Sequence, residues 1–201
     1  MPVPIRFTLT LAGRRLTRRN LERSIRLTRV RVISSTGPLQ GKVNREIRRL
    51  VNLVEITIRD NTPVRTGETL SMLTSTPTRR VSIPRPRASR VGTRSSIQDY
   101  EHLTYFRDTP YAHLLEADNG MFSTALRRAA RFIQSVTMSA SFIIEFTFRV
   151  GDEEQIIQRT SRHRFSLSQF IPPPAITLID GNQPALNLLL PRRINLVLAA
   201  A

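Results

Sequence analysis

Between Leu39 and Asp60 apolar residues recur at Val43, Ile47, Leu50/Val51, Val54 and Ile58, the spacing of one helix face. Arg45, Arg48, Arg49 and Arg59 fall largely elsewhere on the wheel. At about 1.5 Å per residue, roughly twenty residues make a helix about 30 Å long, enough to cross a small domain. Asn61-Thr62-Pro63 stops it, because proline bars its predecessor from helical geometry. A long helix with one apolar face must lie against other elements, and the rest of the chain offers mostly strands.

Ile5 to Leu11 alternates apolar and polar side chains as a half-buried strand does, and Ala12-Gly13 ends it. Leu21, Ile25 and Thr28 predict a short helix into about Leu27, with the strand-like alternation of Ile25 to Val32 as its alternative. Ser34 to Pro38 reads as a loop, Thr66-Gly67 as a turn and Thr69 to Thr76 as a strand. Residues 77–96 set arginines among three prolines with too little apolar content for a core element, so an exposed basic loop or hairpin arm is predicted. Tyr100 to Phe106 reads as a strand. Pro110 opens a short helix that Asn119-Gly120 breaks, and a second helix covers Phe122 to about Met138. Phe142 to Val150 alternates strongly, and Gly151-Asp152-Glu153-Glu154 is an acidic turn. After a mixed stretch to Phe170 and the break Pro172-Pro173-Pro174, apolar runs at 175–179, 186–190 and 194–198 are each strand-length at most. There is no internal repeat.

These patterns predict an α+β fold: a small, mostly antiparallel sheet packed with one long helix and a second helix. The expected boundaries are a domain over residues 1–150, with a basic insertion at 77–96, and a C-terminal extension or arm with short strands over 151–201. The longest uncharged, proline-free apolar stretch, Phe132 to Ile144, falls short of the ~20 residues a spanning helix needs, so no membrane partner is expected.

Charge is the second constraint. Of the 201 residues, 31 are Lys or Arg and 15 are Asp or Glu; Lys42 is the one lysine. Residues 1–100 hold 21 of the cations and 6 of the acids, while residues 101–201 hold 10 and 9, so one half carries nearly all the excess. Such asymmetry points to a polyanionic partner on one side. Two segments concentrate it: Arg14, Arg15, Arg18, Arg19 and Arg23, and Arg79, Arg80, Arg85, Arg87, Arg90 and Arg94. Each could track a phosphate backbone with salt-dependent affinity, or decorate a solvated face. Aromatics for stacking on single strands are nearly absent from both, so sequence-specific reading is not expected.

Chemistry is hard to find. With no cysteine there is no disulfide, thiolate metal site or cysteine nucleophile. His102, His113 and His163 sit far apart, in no ligand spacing, and read as surface groups. No Gly-x-Ser-x-Gly elbow, Ser-x-x-Lys, phosphate-binding glycine loop or dinucleotide fingerprint occurs. No catalytic residue, metal or cofactor is expected, and the chain does not read as an enzyme.

One constellation goes further. The long helix ends in Asn61-Thr62-Pro63-Val64-Arg65-Thr66-Gly67, followed by Leu70 and Ser71. Some forty residues later comes Pro110-Tyr111-Ala112-His113-Leu114-Leu115-Glu116, and then a helix opening with Phe122, Ala125 and Leu126. This order resembles the tail-component (tail-completion or neck) family of long-tailed bacteriophages. In that family a helix runs into a "Pro-Val-x-Thr-Gly" turn and a leucine- and serine-bearing strand, and a "Tyr-Ala-x-x-x-Glu" segment precedes the final helix. The resemblance covers about residues 5–138. It departs at Arg65, where the family usually has an acid, and after Glu116, where Ala117-Asp118-Asn119-Gly120 replaces an immediate glycine.

Pro63, Val64, Thr66, Gly67, Tyr111, Ala112 and Glu116 are expected to fix the fold, with Glu116 free to meet an arginine. The resemblance implies a structural virion protein of the head–tail junction, assembled in the host cytoplasm as a homo-oligomeric ring of sixfold order. Its neighbours would be adaptor or head-closure proteins on one side and tail terminator or tail-tube proteins on the other, with double-stranded DNA nearby. The alternative is a stand-alone basic nucleic-acid-binding protein of nucleoid or ribosomal type.

Overall fold

The computed structural model describes residues 3–7, 10–11, 14–15, 26–33, 37–63, 68–81, 99–107, 109, 111–150, 153–179, 183–194 and 196–200. In chain order the elements are β1 (Val3–Phe7), β2 (Thr10–Leu11), β3 (Arg14–Arg15), β4 (Arg26–Val32), α1 (Gly37–Asn61), α2 (Glu68–Ser71), β5 (Leu73–Val81), β6 (Asp99–Phe106), α3 (Ala112–Asn119), α4 (Met121–Ser135), β7 (Thr137–Val150), β8 (Glu153–Ser166), a 3-10 turn (Leu167–Gln169), β9 (Ala175–Ile179), β10 (Gln183–Pro191) and β11 (Leu196–Ala200). The fold is α+β, with antiparallel sheets and a few helices.

The chain forms two units: residues 1–40, 138–165 and 195–201, and residues 41–137 and 166–194. The boundary expected at 150/151 is therefore not where the chain divides. Residues 151–201 supply β8 to one sheet and β9 and β10 to another, so they are not an arm. The short strands predicted there do form. What the apolar runs could not reveal was their partners, because a strand-length run carries no mark of which edge it will join.

In the first unit β7 lies between β4 and β8. β4 runs antiparallel to β7, from Arg26 opposite Arg149 to Val32 opposite Ile144, with an irregularity between Leu27 and Arg29. Residues 26–32 thus take the strand alternative and not the helix; residues 16–25 lie outside the described residues. Along β7, Phe142, Ile144, Phe146 and Phe148 are buried, as their alternation predicted. The ring of Phe142 meets Phe165 edge-on at 6.1 Å. Arg31 stands directly opposite Glu145 and pairs with it, and Gln158 Nε2 donates to the same carboxylate at 3.1 Å. The Arg31 hydrogen bond, then that of Gln158, and lastly the charges of Arg31 and Arg29 hold the carboxyl below the usual range against the opposing effect of burial. β1 and β11, near the two chain ends, pair in parallel from Val3 opposite Leu196 to Phe7 opposite Ala200.

The second unit holds the long helix. α1 begins two residues before its predicted start, with Pro38 in the first turn, where a missing N–H costs no intrahelical bond. Val43, Ile47, Leu50, Val54 and Ile58 are all buried, and Arg45, Arg48, Arg49 and Arg59 are exposed, as the wheel requires. A four-stranded sheet runs β5-β6-β10-β9, all antiparallel, with β10 placing Leu186, Leu188 and Leu190 opposite Thr104, His102 and Tyr100 of β6. The strand expected at Thr69 starts later, because Glu68–Ser71 first close a helical turn in which Met72 N donates to Thr69 O at 3.2 Å. β5 and β6 are paired on either side of residues 82–98, which lie outside the described residues.

α3 and α4 pack on β10, and Phe106 of β6 meets Phe122 of α4 edge-on at 5.9 Å, both rings fully buried. α4 ends at Ser135, three residues short of its predicted end, because Val136 turns extended and its carbonyl accepts from Leu167 N at 2.9 Å. Among the described residues no helix is long and apolar enough to cross a membrane.

Candidate functional site

The end of α1, just before Pro63, and the Glu116 end of the second motif meet at the start of α4. At the end of α1 the Thr62 hydroxyl donates to Ile58 O at 2.6 Å and lies 3.2 Å from the sulfur of Met121, the first residue of α4. Pro63 follows, exposed; Val64, Thr66 and Gly67 lie outside the described residues. The chain re-enters at α2, where the Thr69 hydroxyl is 3.4 Å from that of Tyr111. Tyr111 thus touches the segment that follows the first motif, its ring half in solvent, while Ala112 is fully buried.

Among the described residues Glu116 bonds to the start of α4 and not to an arginine, the partner that the sequence suggested. Its carboxylate accepts from Phe122 N at 2.6 Å, from Ser123 N at 2.9 Å and from Ser123 Oγ at 2.5 Å. The two N–H groups are orphan donors of the first turn of α4, a turn with no acid of its own and a glycine at its cap. Gly120 makes the corner. At φ 57° it is left-handed, it caps α3 through its N–H to Glu116 O at 2.8 Å, and it begins α4. The four-residue spacing between Glu116 and Gly120 lets one residue of α3 cap the next helix.

The expected basic residues divide. Arg14 and Arg15 form β3, and Arg79 and Arg80 lie in β5, with Arg80 opposite Tyr100. Arg18, Arg19, Arg23, Arg85, Arg87, Arg90 and Arg94 lie outside the described residues.

The histidines were expected at the surface, and His102 is not. At 8% exposure it lies in the buried face of β6, where Ser75 Oγ sits 2.6 Å from Nε2 and 3.2 Å from the Thr104 hydroxyl. Strand alternation predicts this inward face, but a lone histidine carries no sign of its partner. Ser75 of β5 and His102 of β6 thus lie within hydrogen-bond distance across neighbouring strands, which gives the buried imidazole a partner. Burial pushes the His102 pKa below its ordinary value of 6.5, with the Glu55 charge pulling it back up. The unfolded chain therefore binds the proton first as pH falls, and stability drops below about pH 6.5 until the folded pKa is passed. Melting temperature should fall between pH 7.5 and 5, and His102→Gln should flatten that slope; His163, also lowered by burial, should keep the remainder.

One cleft of about 250 Å³ opens in this unit, lined by Asn44, Ile47 and Arg48 of α1, Tyr100 of β6, and Pro191 and Arg192 where β10 ends. Burial raises the Tyr100 phenol pKa, and the neighbouring Arg192 guanidinium partly opposes it. The sequence reading placed Arg48 on the solvated side of the helix and passed over Arg192. Their convergence needs the register that brings the end of β10 beside Tyr100, which is not visible in either local pattern. Among the described residues no cluster of three or more His, Cys, Asp or Glu side chains could hold a metal ion.

No protein-family model matches this chain, nor does any curated protein or solved structure.

Proposed function

We propose that this protein is a structural component of the head–tail junction of long-tailed bacteriophages, a neck or tail-completion subunit that assembles as a closed ring. The observation that carries the reading is the joint at the start of α4. The end of the Pro63 helix and the Tyr111–Glu116 segment both converge on the first turn of α4, with Thr62 on Met121 and Glu116 on Phe122 and Ser123. Residues that share one joint have a reason to occur in one order, which supports a common scaffold over chance.

A ring requires contacts between two different surfaces that close under rotation. Size-exclusion chromatography with light scattering on the full chain should give a discrete oligomer, of about six times the 22.9 kDa of one chain. A monomer with tight, steeply salt-dependent DNA binding would favour the second reading, a stand-alone nucleic-acid-binding protein, which the excess charge of the first hundred residues supports. On the junction reading, simultaneous charge reversal at Arg79, Arg80, Arg85 and Arg87 should block head–tail joining in a virion assembly assay. A normal virion yield would remove the role given to the basic arm.

A further inference from the structure

We propose that one face of the β4-β7-β8 sheet, the side that carries the Arg31–Glu145 pair, binds the phosphate backbone of double-stranded DNA through Arg29 of β4 and Arg162 and Arg164 of β8. It goes beyond the junction reading and needs no ring, since a single chain carries the whole face.

The strand register assembles it. Residues directly opposite one another on paired strands share a face, so Arg29 with Thr147 and Arg31 with Glu145 lie on one side of the sheet. Ile33 N donates to Ile143 O at 2.9 Å and continues the row. Only residues 151 and 152 join β7 to β8, too few for a parallel crossover, so these neighbouring strands are antiparallel. Gln158 reaches the Glu145 carboxylate and so shares its side. With it, at every second position, come Ile156, Thr160, Arg162 and Arg164, all exposed. His163 and Phe165, at the alternate positions, meet the ring of Phe142 on the other side. On the middle strand Glu145 and Thr147 are buried, while Arg29 and Arg31 beside them are exposed.

Charge and extent select the partner. Residues 101–201 carry almost no net charge, yet alternation sorts Arg162 and Arg164 onto one side. The acids described on that side are few: Glu145 is bonded to Arg31 and Gln158, and Glu154 stands at the opposite end of β8 from Arg164. Arg164 lies six residues along from Gln158, and Arg29 lies opposite a residue two beyond Glu145 in the other direction. At about 3.4 Å per residue the cations span about 27 Å, the rise of about eight base pairs and far more than one small anion covers. Guanidiniums offer paired donors to phosphate oxygens, and the Thr160 hydroxyl adds another donor. Aromatic rings, on which single strands stack, are absent among the described residues of this face, because Phe142, Phe146 and Phe148 are buried on the other. A duplex is therefore the occupant, and Ile33 and Ile143, 43% and 39% exposed, give its sugars an aliphatic floor.

The test is an anisotropy titration of the full chain with a labelled 20-base-pair duplex over a range of salt. Arg29→Gln with Arg162→Gln and Arg164→Gln should weaken binding at least tenfold at about 100 mM salt. The slope of log affinity against log salt should fall by about 2–3, at about 0.9 for each lost phosphate contact. Arg31 stays in place because it holds the buried Glu145. Arg45→Gln with Arg59→Gln and Arg131→Gln removes the same charge from exposed positions of α1 and α4 and should cost less than about threefold. Equal losses from the two triple variants, or none from the first, would overturn the face. A single strand that competes as well as the duplex, or a poly-glutamate of matched charge that displaces it, would overturn the choice of partner. If the first variant does not fold, phenylglyoxal labelling of the parent decides. The duplex should shield Arg162 and Arg164 and leave Arg45 and Arg59 reactive, and the reverse would overturn the face. A ring that binds no duplex would remove the face alone, whereas a monomer that binds duplex through these arginines would keep the face and sink the ring.

Discussion

Replacing Phe122 by alanine is expected to cost about 3–5 kcal/mol of stability, the range for deleting a buried phenyl ring from a packed core. Phe122 is fully buried, stands at the second position of α4 and meets the ring of Phe106 edge-on at 5.9 Å and 81°. The variant loses the burial of the ring, leaves a cavity under the helix, and gives up the edge-to-face contact, itself worth about 0.5–1.5 kcal/mol. For a chain of this size, each kcal/mol moves the melting temperature by about 2–4 °C. Urea unfolding followed by circular dichroism should therefore show a large drop in midpoint for Phe122→Ala. Phe106→Ala should show a similar one, and the double variant less than their sum, because both remove the same contact. Leu114→Ala, on the exposed side of α3, should stay within about 0.5 kcal/mol of the parent. Equal losses at Phe122 and Leu114 would mean that α4 does not pack on β6 as described.

The difference between those positions was legible in the sequence only where a pattern was long. Five apolar positions in register over α1 outweigh any local accident, and Pro63 marks the end by geometry alone. The Phe142–Phe148 alternation marks a strand as clearly, although Glu145 and Thr147 on its other face are buried too. Short or mixed segments failed for a physical reason. Arg26–Val32 fits both periods, and pairing with β7 decides between them. Glu153–Ser166 looked like no element because its strand is studded with charged and polar residues on its solvent side, yet it forms a fourteen-residue neighbour to β7.

The candidate site was legible in part. Pro63, Tyr111, Ala112 and Glu116 were marked by motif order, and the structure gives Glu116 a different task from the one its charge suggested. An acid followed, six and seven residues on, by the start of a helix can cap that helix only if a glycine turns the chain between them, and Gly120 does. Arg48 and Arg192 were invisible as a pair because 144 positions separate them in the sequence and only the sheet register brings them together.

Glu116 offers the sharpest test of that joint. Its carboxylate takes three hydrogen bonds, two of them from backbone N–H groups in the first turn of α4, whose glycine cap has no side chain to offer. Hydrogen bonds to a charged group are worth about 1.5–3 kcal/mol, and loss of a helix cap costs about 0.5–2 kcal/mol, so Glu116→Ala should destabilise by about 2–3 kcal/mol. Glu116→Gln keeps one acceptor oxygen but loses the charge favoured at the positive end of α4, and its amide N–H groups would face other donors; it should fall between the parent and the alanine variant. Ser123→Ala removes a single hydroxyl and should cost about 0.5–1.5 kcal/mol. Because Ser123 acts through the same carboxylate, Glu116→Ala combined with Ser123→Ala should cost less than the two changes added. A carboxylate held for a partner would behave differently: Glu116→Gln would then leave unfolding unchanged and weaken only assembly. Thermal unfolding of these four variants, read beside their sedimentation, separates a residue that fixes the corner between α3 and α4 from one that reaches out of it.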